Sequence, residues 1–97
     1  MRLDARTDDN QNEIVQALRG VGASVAITSQ LGSGFPDIVA GYRGQNYLIE
    51  IKDGFKPPSK RKLTPDEQEF HDLWRGTVHV ANSVDEALAI IGATYYG

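Results

Sequence analysis

The 97-residue chain has no cysteine, which removes disulfides, thiolate metal ligands and cysteine nucleophiles from its chemistry. Histidine is scarce: neither His71 nor His79 has a second histidine at ligand spacing, so neither is assigned a metal role. No apolar run approaches the ~20 residues that a membrane span needs. Residues 1–10 are too polar and charged to act as a signal peptide. A soluble, cytoplasmic protein is expected. Internal repeats, low-complexity tracts and linkers are absent. An excess of positive charge is missing too: the formal net charge is −3, which by itself argues against binding a phosphate backbone.

What is present fits one globular domain over residues 1–97, with 40% apolar residues. A core this small stabilises a fold only marginally, so a partner subunit would be a natural supplement. Charge is unevenly placed. Lys52, Lys56, Lys60, Arg61 and Lys62 fall within eleven consecutive positions, while acids crowd the N-terminal segment and residues 66–72.

Capping residues and periodicity give the element order. A first helix starts near Asp9 or Asn10, buries Ile14, Val15 and Leu18, and stops at Gly20. Ser24 to Thr28 reads as a strand, Gln30 to Pro36 as a turn-rich loop, and Asp37 to Tyr42 as a second strand. Arg43 to Asn46 is read as a hairpin turn, and Tyr47 to Lys52 as the third strand. After the basic loop, Thr64-Pro65-Asp66-Glu67 is a capped helix start whose helix carries Phe70, Leu73 and Trp74 as core and ends at Gly76. Thr77 to Ala81 is a fourth strand with His79 on its exposed side. Ser83 to Glu86 is a second capping box, and Gly92 ends that last helix. Short connections predict antiparallel pairing for the first three strands, and a parallel crossover for the fourth.

Glu50 and Lys52 lie in the third strand and, by alternation, share the face opposite Ile49 and Ile51. Unpaired charge on so apolar a strand is costly unless exposed or used. With Tyr42 opposite Tyr47, Asp37 falls opposite Lys52 and becomes a diagonal neighbour of Glu50, about 7–8 Å away. A turn one residue longer or shorter would place Asp37 on the other face. Two carboxylates so placed can converge on Mg²⁺ or Mn²⁺, and a nearby lysine can orient water or stabilise developing charge.

Pro36-Asp37, twelve intervening residues and Glu50-Ile51-Lys52 resemble the PD-(D/E)xK nuclease signature. The flanking GFPDIVAG and YLIEIK are similar to its VRR-NUC branch, found in phage and bacterial proteins. The resemblance implies a restriction-endonuclease-like α-β-β-β-α-β core: a mixed sheet flanked by helices, with a C-terminal helix added. It implies Mg²⁺ or Mn²⁺ held by Asp37, Glu50 and the Ile51 carbonyl, with Glu13 of the first helix completing the site. Gln11, Asn12 and Gln16 are alternatives to Glu13. It implies catalysis by these acids with Lys52, and DNA contacts from Ser33, Gly34, Arg43, Lys56, Lys60, Arg61, Lys62 and Gln68. The implied substrate is branched DNA such as a four-way junction, cut by a homodimer that is phage-encoded or acts in a bacterial cytoplasm. A flap-cutting or nicking repair nuclease is an alternative, as is a non-catalytic interaction module on the same fold.

Overall fold

The computed structural model describes residues 5–93, and the side chains of residues 10–93. The elements follow in the order α1 (Ala5–Gly20), β1 (Ser24–Ile27), β2 (Ile38–Tyr42), β3 (Gln45–Ile51), a short 3₁₀ turn (Pro58–Lys60), α2 (Pro65–Leu73), β4 (Val78–Ala81) and α3 (Val84–Ile91). This is the expected α-β-β-β-α-β core with a C-terminal helix. The four strands form one sheet in sequence order; β1, β2 and β3 pair antiparallel, and β4 lies parallel to β3. No described helix is long and apolar enough to cross a membrane.

Alternation gives the sheet two unlike faces. Ile38, Ala40, Ile49 and Ala81 are fully buried and pack with Ile14 and Leu18 of α1 and Ala87, Leu88 and Ile91 of α3. Each fully buried Ile or Leu contributes roughly 1.5–3 kcal/mol, so this helix-covered face supplies the bulk of the stability. The other face carries Asp37, Val39, Leu48, Glu50 and Val80, and of the described helices α2 alone meets its charged end, through Glu67 and Lys52. α2 buries none of its own residues, and Leu73 and Trp74 are exposed. The expectation of a buried α2 stripe is therefore corrected. Phe70 instead joins a small aromatic stack, edge-on to Phe35 and parallel to Trp74, with ring centroids 5.2 and 5.0 Å away.

Three other details differ from the sequence reading. α1 is already helical at Ala5, ahead of the expected start at Asp9 or Asn10, and no Gly or Pro interrupts residues 5–10. His79 lies on the helix-covered face, since it registers with Ile49 and its ring sits 6.0 Å from that of Tyr47. Ser83 caps α3 by accepting from the Glu86 N–H, but the Glu86 carboxylate turns to the Asn82 backbone and side chain, so the box is not reciprocal.

The hairpin turn is shorter than expected. Arg43 and Gly44 alone form it, with φ of 51° and 81°, the double left-handed geometry of a type I′ turn, whose twist matches the strands it joins. Tyr42 consequently faces Gln45, not Tyr47, and Ile38 faces Ile49. The register moves by two residues, so every side chain of the β2–β3 hairpin stays on its expected face.

Candidate metal centre

Extending the β2–β3 register by one step sets Asp37 directly opposite Glu50, closer than the diagonal relation expected. Backbone bonds hold this end of the hairpin. The Thr28 N–H donates to the Asp37 carbonyl at 2.8 Å, and the Thr28 hydroxyl donates to the Pro36 carbonyl at 2.7 Å. Pro36 is itself fully buried. The Asp37 Oδ2 then accepts the Ile51 N–H at 2.8 Å, which aims the carboxylate across the end of β3.

Glu50 is 2% exposed, the one buried charged residue among those described, and its Oε1 has no hydrogen-bond donor. Lys52 lies two residues on, with Nζ 3.7 Å from Glu50 Oε2 and 2.7 Å from Glu67 Oε1. Glu67 is the residue that sequence reasoning assigned to capping alone. It does cap: its Oε1 accepts the Thr64 N–H at 2.9 Å while Thr64 Oγ1 accepts the Glu67 N–H. The same oxygen also anchors the lysine. An acid in the first turn of a helix that returns from a strand ending in lysine is the signal that would have found it.

A solved structure described as a VRR_NUC domain matches the chain with a TM-score of 0.64, covering 91% of this chain and 96% of that one at 24% identity. The chain has the VRR_NUC fold. No family model matches it, and no curated protein does.

Within this VRR_NUC fold the acids act on one another. The Glu50 carboxyl is pushed up to about 9, by burial first and then by the Asp37 charge and by hydrogen bonding and charge from Glu67. Glu67 moves the other way. Burial works to raise it, but the Lys52 ammonium, the Thr64 N–H and the Glu50 carboxyl outweigh that and hold it below the ordinary range. At neutral pH without a cation, Glu50 therefore carries a proton.

Among the described residues no group of three or more His, Asp or Glu side chains is placed to hold a metal ion. The carboxylates that could hold a cation are Asp37 and Glu50, since Glu67 is committed to Lys52. Two carboxylates with the remaining positions left to water and backbone oxygen suit Mg²⁺, which dehydrates reluctantly. The undonated Glu50 Oε1 fits such a role: without a cation the buried carboxyl keeps a proton, and a divalent ion would take that proton's place.

The other expected site residues are dispersed. Glu13 is exposed and lines a groove with Gln16, Ala17, Gly20, Val84 and Leu88, so it does not join Asp37 and Glu50. Gln11, Asn12 and Gln16 do not replace it; the α1 residue that reaches the site is Asn10, whose Nδ2 donates to the Lys52 carbonyl at 2.8 Å. Lys56 and Lys60 border a hollow with Ile51 and Lys52. Arg61 donates from Nε to the Lys56 carbonyl, and Lys62 is exposed. Ser33, with φ of 56°, borders a hollow with Asp66, Glu69 and Trp74, an acidic setting for phosphate. Gly34 packs on the backbone of Asp66. Gln68 donates to Asp72 at 2.9 Å on the exposed side of α2, so Glu67 holds the position near the site that Gln68 was expected to hold. Arg43 stands at the opposite end of the hairpin, roughly 17 Å along the strand by its rise per residue, with its guanidinium over the Tyr42 ring.

Glu67 acts as a positioning residue for Lys52. Glu67→Gln should lower kcat of the cleavage proposed below about tenfold through misplacement of Lys52, with KM unchanged. Equal kcat in variant and wild type would remove Glu67 from the machinery.

Proposed function

We propose that the protein is a Mg²⁺- or Mn²⁺-dependent DNA endonuclease of the PD-(D/E)xK type. The observation that carries the reading is the opposed Asp37–Glu50 pair, one member buried with an undonated oxygen, beside a lysine held by Glu67. Asp37 and Glu50 would hold the ion, together with the Ile51 carbonyl. When bound, a divalent ion supplies a Lewis acid that acidifies water and offsets charge on the scissile phosphate. Lys52 presents an ammonium held at one oxygen by Glu67, leaving its other N–H bonds for a phosphate oxygen or the attacking water. Asp37, fixed by Ile51 and Thr28, keeps its carboxylate in place without reorganisation. Lys56, Lys60, Arg61 and Lys62 would meet the flanking DNA backbone, which answers the acidic total charge by local concentration of bases.

Branched DNA is the substrate class we favour. A four-way junction has two equivalent strands to cut, which matches a two-fold dimer. The exposed Leu73, Trp74 and Val80 beside the half-open sheet face give a second copy of the chain apolar surface to cover. Cleavage of labelled junction, flap and plain duplex with Mn²⁺ tests the reading, with Lys52→Ala run beside the wild type. Loss of the positioned ammonium should slow cleavage by roughly 10²–10⁴-fold. Equal rates in the two proteins would overturn the assignment, and sedimentation of the wild type would report the dimer.

A further inference from the structure

Two hollows meet at Asn10, beside the end of β3. The first, of about 140 Å³, is lined by Lys52, Lys56 and Lys60, with Ile51 and Asp53. The second, of about 220 Å³, is lined by Phe55 and Val84, by Asn82 and Ser83, and by the acids Glu13 and Asp85. The two are opposite in electrostatic character. Lysines attract a phosphate, whereas carboxylates repel one and accept hydrogen bonds from amino and ring N–H groups.

Phe55 stands in the loop between them and is 101% exposed. The backbone around it is held, not loose. The Gly54 N–H donates to the Asn82 carbonyl at 3.0 Å, the Phe55 N–H to Asp53 Oδ1 at 2.9 Å, and the Lys56 N–H to the Asp53 carbonyl at 3.1 Å. An aromatic ring is thus presented to solvent on a fixed support, three residues after Lys52. Exposed aromatics alternating with bases are the means by which proteins grip unpaired nucleic acid: rings stack bases while lysines follow the backbone.

We infer that the two hollows form one subsite for an unpaired nucleotide, with its phosphate between Lys56 and Lys60 and its base on Phe55, edge toward the polar second hollow. The inference rests on the nuclease reading only for the position of the cut, which places this nucleotide next to the scissile phosphate. A base inside a continuous duplex is already stacked on both faces and paired at its edge, so it cannot enter. The subsite therefore selects DNA with an unpaired residue at the cut, such as a branch point whose terminal pair has opened, a flap or a single strand.

A single-stranded oligonucleotide carrying 2-aminopurine, titrated without divalent ions, tests the subsite independently of cleavage. Binding to the wild type should quench its fluorescence. Phe55→Ala should abolish the quench and weaken binding about tenfold, and Phe55→Trp should restore both; full exposure of Phe55 keeps folding out of the comparison. Lys56→Gln with Lys60→Gln should reduce the slope of log K against log salt by about 1.4, two single-strand phosphate contacts. No quench with the wild type, or equal affinity for wild type and Phe55→Ala, would overturn the subsite. A normal quench with no Mn²⁺-dependent cleavage of any DNA would instead overturn the nuclease reading and leave the subsite standing.

Discussion

Glu50→Gln should abolish cleavage and yet make the metal-free protein harder to unfold. A carboxyl that ionises near 4.5 in the unfolded chain and near 9 in the folded one penalises folding between those values. The unfolded chain is ionised there, while the native state must keep a proton. The stability associated with Glu50 is fully present below pH 4.5 and declines by at most ~1.4 kcal/mol per pH unit until pH passes about 9. Glutamine keeps the size of the side chain, cannot ionise, and can donate from its amide to the Asp37 and Glu67 carboxylates. At pH 8 the gain should be on the order of 2 kcal/mol after relaxation of the site, and for a domain of this size that raises Tm by roughly 10 °C. The gap between variant and wild type should widen from pH 5 to pH 9. Thermal unfolding in chelator across that range is the measurement, and a variant less stable than wild type at pH 8 would contradict it. The same proton opposes the metal. Binding of Mn²⁺ at pH 7 should release close to one proton, seen by calorimetry in buffers of different ionisation enthalpy.

Gly34→Ala should be among the most damaging single substitutions in the protein, although Gly34 carries no functional group. Its φ is 78°, and a Cβ added there would clash with the Asp66 carbonyl oxygen and carbon. Both atoms are backbone in the first turn of α2, so neither yields by turning a rotamer. The left-handed backbone alone costs a non-glycine residue about 1–2 kcal/mol, and displacement of the helix start brings the expected loss to ~3 kcal/mol or more. Activity should fall further than stability predicts, because the turn that moves carries Glu67 and, through it, Lys52. Gly44→Asn is the control: its φ is 81°, but nothing lies within 4 Å of the added Cβ, and asparagine accepts this turn, so the cost should stay below ~1 kcal/mol. Chemical denaturation of both variants separates close approach from backbone conformation. Similar losses in the two would remove the packing argument.

Much of this layout was legible in the chain because local signals fix it. Thr64, Pro65 and Glu67 announce the start of α2. The apolar alternation of Tyr47 to Ile51 announces β3 and puts Glu50 and Lys52 on one face. What escaped depended on distance through space. The polar Gln45 and Asn46 suggest a four-residue turn, yet an exposed strand end tolerates polar residues and Arg43-Gly44 suffices for the turn. Capping explains Glu67 completely in the sequence; only the crossover from β3 shows that the same carboxylate meets Lys52. The resemblance points to an acid on α1, Glu13, whereas Asn10, about a turn earlier, is the residue whose amide reaches the strand end. The apolar residues of α2 suggested core, but a helix standing at the edge of a sheet covers a site instead of filling an interior.

The two-residue turn at Arg43-Gly44 also sets a rule for how this hairpin can change length. Strand side chains alternate, so adding or removing one residue between Asp37 and Glu50 rotates one carboxylate to the helix-packed face, where it would meet Ile14 and Leu18. Adding or removing two restores the pairing with a longer or shorter arm. Variation in this loop is thus quantised in pairs of residues, and its tip can be rebuilt freely in chemistry while its parity cannot.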